Sequence, residues 1–521
     1  MAKTPDHPPA SRRQFIKGAV AGAGSLAFMN SLNTAQAAPP PQQWDSEVDV
    51  LIAGAGVSGC FAAIAAHDAG ARNILLLEKT AIAGGSGRFS SGTILAAGTI
   101  MQKEKNIQDS AELWYRESMA ASENGVDAKI TRKMIDVATE VFDFLWAAGM
   151  RWSFIDPLPG YSAPRGYREA NGGAKMMKIV VAEVAKRDAI TLQYDTRITK
   201  LYLDQPKGAA PQGEVVGIEC ATADGRTRNI KVKKAVALCT GDFAANPAYI
   251  ESHFPALKNT KFVGNPGNTG DGIRIAQRLG ADITGYTPQG HPHCVEVSPG
   301  KADLWPRYEF LAQAGALLVN GDGKRFCDEP VQGYYVPLFS EAQKQNGNFA
   351  CVFDAPMAKA IMNSPRFETT FRGRQALFTE GLSGEGFIIK KADTLDELAK
   401  KLGIGADGLK KTVAAYNDMA TAGKDAEFQR NPKYLIKMES PPYYGWRGII
   451  GVTTTRGGLR MDAEARILDV DLQPIRRLYG AGGTVGGYTN EAGYRSGLHL
   501  TNAFVFGRIA GKNMAAEKPW S

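Results

Sequence analysis

A chain of 521 residues, 44% of them hydrophobic and 22% charged, has a globular composition and is too long for one simple domain. The formal net charge is +8, yet the lysines and arginines are scattered, with no basic run and no aromatic–basic stripe. That pattern excludes a nucleic-acid partner and leaves the surplus charge for acidic partners or substrates. Glycine, at 58 of 521 residues, exceeds its usual share of about 7%, and its clustering points to several nucleotide-binding turns.

The N-terminus reads as an address. Ser11-Arg12-Arg13-Gln14-Phe15-Ile16-Lys17 carries twin arginines, an Ala/Gly-rich apolar segment runs from Gly18 to Leu32, and Ala35-Gln36-Ala37 is a small-x-small cleavage site. The apolar segment is too short and too weak to span a bilayer, so no stable membrane insertion is expected. Residues 1–37 are therefore expected to be a twin-arginine signal peptide directing a folded protein to the periplasm. A Pro-rich linker follows at 38–46.

The stretch from Glu47 to Gly98 organises the rest. Val48, Val50, Leu51, Ile52 and Ala53 suit a strand buried on both faces, and Gly54-Ala55-Gly56-Val57-Ser58-Gly59 follows at once. A helical pattern continues through Ala69, and a second apolar run ends on Glu78. Gly54 allows the tight turn, Gly56 admits a pyrophosphate, and Gly59 lets helix and strand pack closely. The helix N-terminus offers free N–H groups to phosphates, and Glu78 stands where an acid binds a ribose hydroxyl pair. Gly84-Gly85-Ser86 and Ser90-Ser91-Gly92 form a second glycine loop, which suits an extended flavin dinucleotide better than a nicotinamide one.

Residues 109–149 read as helices with Trp114, Ile130, Met134, Phe142 and Leu145 at core spacing. Residues 190–237 alternate like strands, and a buried strand runs into Thr240-Gly241-Asp242-Phe243. Asn268-Thr269-Gly270-Asp271-Gly272 opens another helix. From 286 to 440 the glycine turns thin out; Ala314 to Phe326 reads as a hairpin about Asn320-Gly321-Asp322-Gly323, and 395–422 as helical. Glycine-rich turns return at Gly457-Gly458 and Gly480–Gly483, before a helix from about Gly497 to Ala516. The expected class is α/β: a Rossmann-like FAD-binding domain split into 47–285 and 441–521, with an α+β capping, substrate-binding domain at 286–440 inserted between. The six cysteines form no CxxC or CxxCH, so neither zinc nor attached haem is indicated, and they read mostly as small core residues. His291 and His293 fall on one face of an extended segment, and no metal site is assigned to them.

The ordered blocks GAGVSG, LLEKTAIAGGS, SSGT, CTGDFAAN, NTGDG, GALLVNGDGKRFCDE, GGLRMD, LYGAGGTVGG and TNAFVFGRIAG resemble the flavoprotein superfamily of soluble fumarate reductases, urocanate reductases and 3-ketosteroid dehydrogenases. The resemblance implies non-covalent FAD, a cap closing over it, and hydride transfer between flavin N5 and an activated C–C bond. It places Gly54, Gly56, Gly59, Glu78, Lys79, Gly85, Ser86, Ser91, Gly241, Asp271, Gly482, Leu500 and Thr501 against the cofactor. Without a haem motif, an external electron carrier is expected, either a cytochrome c or a quinone-linked protein.

Departures redirect the substrate. Gly333 stands where fumarate reductases carry their proton-donating arginine, and Thr454 where they carry a substrate histidine. Tyr494-Arg495-Ser496-Gly497 instead resembles the Tyr-x-Ser-Gly element of the 3-ketosteroid Δ4-(5α)-dehydrogenase branch, in which tyrosines hydrogen-bond the ketone or take a proton. Tyr494 with Tyr308, Tyr334 or Tyr335 could fill both roles; Ser496 is a site residue or a helix cap, and His291 a substrate contact. Arg495 carries the rival reading, an arginine holding the carboxylate of an unsaturated acid that serves as respiratory acceptor. A third class, an electron-relay flavoprotein without a substrate of its own, fits poorly with so large a cap.

Overall fold

The computed structural model describes residues 39–520 except 159, 170, 171, 205–212, 259, 300, 306, 307, 333, 334, 372, 373, 491 and 492. The expected signal peptide lies outside the described residues. The strand β1 (Ser46–Ala53) passes through the glycine turn into α1 (Val57–Asp68) and returns as β2 (Ile74–Leu77). Both strands are apolar throughout their paired halves because both faces of the sheet are covered. To this pair the chain adds β3 (Ile190–Gln193), β4 (Thr196–Asp204), β5 (Glu214–Thr222) and β6 (Thr227–Leu238).

Much later the chain comes back to the same sheet. Strands β12 (Arg466–Leu468) and β13 (Pro474–Gly480) complete it, and β13 lies parallel to the end of β6, Leu478 opposite Val236. The order β3-β2-β1-β6-β13 is parallel throughout, while β4, β5 and the first half of β6 form an antiparallel meander beside it. The C-terminal helix α4 (Leu498–Ala516) packs along α1. Of the other helices, α2 (Ala128–Ala147) buries the apolar face read from the sequence, and α3 (Asp271–Gln277) opens at the Asn268–Gly272 turn.

The second sheet has the order β8-β7-β11-β10-β9, built from β7 (Ile283–Ser298), β8 (Lys301–Leu304), β9 (Leu317–Asn320), β10 (Phe349–Asp354) and the long β11 (Tyr443–Leu459). The first half of β11 pairs with β10 and its second half with β7. At Gly457 and Gly458 it packs tightly on β7 and on the turn after β13, where a Cβ would lie 2.2 Å from the carbonyl oxygen of Gly285 and 2.5 Å from that of Thr484.

Two local expectations are refined. The hairpin about Asn320–Gly323 makes its turn, with Asn320 N donating to Lys324 O at 2.8 Å, but its second strand shrinks to one bridge, Val319 to Arg325. Arg325 is drawn away into a buried charge cluster with Glu329 and Asp425, both at 2.9 Å, and β9 takes β10 as its partner instead. The stretch at 395–422, expected to be helical, is so in two pieces, Leu395–Leu402 and Ala406–Ala422, interrupted at Gly403 with φ +64°. All six cysteines are buried and free. Among the described residues no helix is long and apolar enough to cross a membrane.

Candidate active site

The carboxyl ends of β1, β2, β6 and β13 open into one cleft, closed from the other side by β11, the end of β8 and the first turn of α4. Ligands of open parallel sheets bind at this end of the strands. Two glycine loops face each other across it. Gly54, at φ +105°, has no room for a side chain: a Cβ there would lie 2.3 Å from the Cys239 carbonyl oxygen. A Cβ on Gly85 would lie 3.1 Å from the Cα of Gly56. The α1 helix begins in this gap with Gly56 as its N-cap and no side-chain cap, so its first N–H groups and dipole are left for an anion.

Beyond the glycine loops the cleft is polar and charged. Glu78 accepts hydrogen bonds from Ala55 N at 3.1 Å and from Thr80 N at 3.0 Å. Asp271 takes Lys79 at 2.9 Å, Arg197 at 2.6 Å and Arg274 at 2.7 Å. Burial alone would raise its carboxyl, but Arg197 and Lys79 outweigh that and hold it down at about 2.

At the other end stand Leu304, Thr453, Thr454, Asp242, Tyr494, Ser496 and His499. The Tyr494 ring is 8% exposed, with the Arg456 guanidinium 4.9 Å from its centroid and the His499 ring at 5.2 Å. Tyr488 Oη and His499 Nδ1 are 2.5 Å apart. Asp242 is 2% exposed and accepts from Ala244 N at 2.7 Å, Asn268 Nδ2 at 2.8 Å and the Thr454 hydroxyl. Burial pushes its carboxyl up to about 6 against the pull of those donors.

Eleven of the expected cofactor residues line the cleft: Gly54, Gly56, Glu78, Lys79, Gly85, Ser86, Ser91, Gly241, Asp271, Gly482 and Leu500. Gly59 and Thr501 stand behind it. A Cβ on Gly59 would lie 1.8 Å from Gly54 O, so it serves the packing of α1 on the turn. Thr501 Oγ1 accepts from Leu95 N at 2.8 Å and donates to Gly497 O at 3.0 Å, tying α4 to the residues after the second glycine loop.

The expected substrate residues divide. Tyr494 and Ser496 line the cleft, and Gly497 rather than Ser496 is the N-cap of α4. Arg495 is not among the lining residues; its Nη1 donates to Tyr494 O at 2.8 Å and its guanidinium lies 5.8 Å from the Tyr161 ring. Tyr308, expected beside the substrate, is instead a core residue that opens the short helix Tyr308–Ala312 against the second sheet. It is 1% exposed, stacked on His293, and its hydroxyl accepts from Trp446 Nε1 at 3.3 Å. Its short helix packs its aromatic face inward because Phe349 and Trp446 complete a dry cluster there. Tyr334 lies outside the described residues, as do the side chains of Tyr335, which opens the helix Tyr335–Lys344, and of His291, whose backbone pairs with Gly451. Sequence reasoning did not single out Asp242, Asn268 or His499. An Asp after Thr-Gly reads as turn chemistry, and only the fold shows that it faces a cleft.

A family described as an FAD binding domain matches residues 49–497. The chain is 30% identical over 475 residues to a fumarate reductase (cytochrome) of Shewanella frigidimarina, covering 90% of this chain and 77% of that one. Among solved structures, the open conformation of a flavocytochrome c3 fumarate reductase superposes with a TM-score of 0.75 at 25% identity, covering 98% of this chain and 82% of the other. The 3-ketosteroid-Δ4-(5α)-dehydrogenase of Rhodococcus jostii RHA1, in complex with 4-androstene-3,17-dione, superposes with a TM-score of 0.71 at 26% identity, covering 92% and 100%. The facing glycine loops, the uncapped N-terminus of α1 and the acid at Glu78 fit FAD.

Proposed function

Because the chain belongs to the FAD-binding-domain family that includes flavoprotein fumarate reductases and 3-ketosteroid dehydrogenases, we propose that this FAD-dependent oxidoreductase acts on a ketosteroid-like enone or ketone. The bond that changes is a C–C bond beside the carbonyl, and the enzyme works in the periplasm after twin-arginine export. Bound FAD supplies the two-electron chemistry. The glycine loops and the α1 N-terminus hold its diphosphate, and Glu78 its ribose.

The placement of Tyr494 carries the substrate reading. Its ring lines the cleft while the adjacent Arg495 does not. Adding or removing a hydride beside a ketone develops charge on the carbonyl oxygen, and a phenol hydroxyl aimed at that oxygen stabilises it. Arg456, stacked over the Tyr494 ring, fixes the phenol and favours negative charge nearby. Ser496, two residues on, lines the same wall. Electrons come from or leave to a separate carrier, a cytochrome c or a quinone-linked protein, a reading supported by the similarity to a fumarate reductase (cytochrome).

A second reading, an unsaturated carboxylate serving as respiratory acceptor, draws support from the 30% identity to a fumarate reductase. Two variants separate the readings when assayed on ketosteroid enones and on unsaturated acids. In the ketone reading Tyr494→Phe lowers turnover about tenfold to a thousandfold, FAD content stays the same, and Arg495→Ala has little effect. In the carboxylate reading the order reverses. Full activity of Tyr494→Phe on every substrate the wild type accepts overturns the ketone reading.

A further inference from the structure

We propose that Asp242 and Thr454 form the proton-delivery pair of the cleft: Asp242 stores the proton and the Thr454 hydroxyl passes it to the substrate. This rests on the proposed reaction at the same cleft, and adds the group that completes it.

The hydrogen-bond pattern around Asp242 gives the direction. Its described partners are Ala244 N, the Thr455 backbone N–H, Asn268 Nδ2 and the Thr454 hydroxyl. The first three only donate, and a proton cannot leave through them. The Asn268 amide is pinned in that orientation, because Nδ2 also reaches Ser86 Oγ at 2.9 Å and Oδ1 accepts from Asn265 Nδ2 at 3.0 Å. A threonine hydroxyl both donates and accepts. When Asp242 is charged, the Thr454 hydroxyl donates to it. When Asp242 is protonated, its O–H donates to Thr454 Oγ1, and one rotation turns the threonine proton toward the cleft that Thr454 lines. Asp242 borders the cleft but is 2% exposed, and among its described hydrogen-bond partners Thr454 alone can pass a proton onward.

The balance closes with no further reactant. In the reductive direction the alkene gains a hydride from the reduced flavin on one carbon and a proton from Thr454 on its neighbour. Asp242 restores the threonine proton and is left as carboxylate, to be reprotonated from solvent. In the dehydrogenase direction the pair takes the proton up. A carboxyl pushed up to about 6 by burial is well matched to both tasks near neutral pH.

The charged and titratable groups around it come from four sides. The Asn268 loop brings Asp271, already engaged by Lys79, Arg197 and Arg274. The strand β11 brings Arg456, and the segment before and into α4 brings Tyr488, Tyr494 and His499. Tyr286 and His253 pack on the neighbouring Phe243.

The test uses the FAD-loaded protein, reduced, then mixed with a ketosteroid enone while flavin reoxidation is followed across pH. The wild-type rate is expected to fall as pH rises through about 6. Asp242→Asn keeps the shape and is expected to lose about a hundredfold or more and to flatten the profile. Thr454→Val is expected to lose a similar factor, and Thr454→Ser to recover most of it. A second readout needs no turnover: infrared difference spectra of the oxidised holoprotein should show one carboxylic-acid band lost across the same pH range, and no such band in Asp242→Asn. An unchanged rate and pH profile in Asp242→Asn overturns the proposal, as does equal loss in Thr454→Ser and Thr454→Val, or a missing carboxyl band. If the wild type reoxidises with neither enone nor unsaturated acid, the proposed function fails on its own, and the infrared result alone judges the pair.

Discussion

Asp242 and Asp271 stand in one cleft and are driven in opposite directions. Among the described residues Asp242 has donors but no cation as hydrogen-bond partner, and burial dominates; Asp271 is buried as well but engaged by three cations. The signs for stability follow. The carboxyl of Asp242 rises from an unfolded value of 3.8 to about 6 in the folded protein. Its favourable contribution is whole below 3.8 and is lost as pH climbs through 6, a change of about 3 kcal/mol. Asp242→Asn should therefore gain stability relative to wild type between pH 4 and 7, read as a growing difference in Tm between the two FAD-loaded proteins; a pH-independent difference would show that the carboxyl does not titrate there. Asp271 contributes in the other direction, its stabilisation present above 3.8 and lost as pH falls through about 2. At this scale the sequence made the glycines and Glu78 legible because their spacing is fixed by the shape of a diphosphate turn. It misplaced Tyr308, since a tyrosine beside the cap looks the same whether its ring faces ligand or Trp446.

Between elements, α4 lies close against α1. A Cβ on Gly507 would lie 2.4 Å from Ser58 O, and one on Gly511 2.2 Å from Ala62 O. The backbones touch there, and α1 is the helix whose N-terminus opens the cleft. Gly511→Val should force the helices apart, costing about 1–3 kcal/mol by overpacking, and should lower both Tm and the FAD retained after purification. Added FAD should restore part of the Tm by mass action; a variant with wild-type Tm and FAD content would deny the tight contact. The strand-turn-helix-strand unit and the C-terminal helix were legible because apolar period and glycine position agree. The hairpin at 314–326 was half legible: local turn chemistry set its turn, while its second strand was lost to Glu329, four residues on, and to Asp425, which no local window contains.

At the scale of the whole molecule the two large sheets share one cleft, with β11 and the loop after β13 supplied by a later part of the chain than the glycine loops. The twin-arginine route proposed for it carries folded proteins, so replacing Arg12 and Arg13 by lysine should leave an FAD-bound precursor in the cytoplasm; unchanged periplasmic enzyme in that variant would end the export reading. The order of the chain has a consequence for manufacture. Gly54–Gly56 is made first, whereas Gly482, Gly483 and α4, which complete the same cleft, leave the ribosome much later. Until β13 arrives, the Val236–Leu238 end of β6 lacks the neighbour it has in the finished sheet, an open edge that invites aggregation. Cofactor loading is therefore a step that belongs to the completed polypeptide, and a chain released before residue 474 emerges both colourless and sticky.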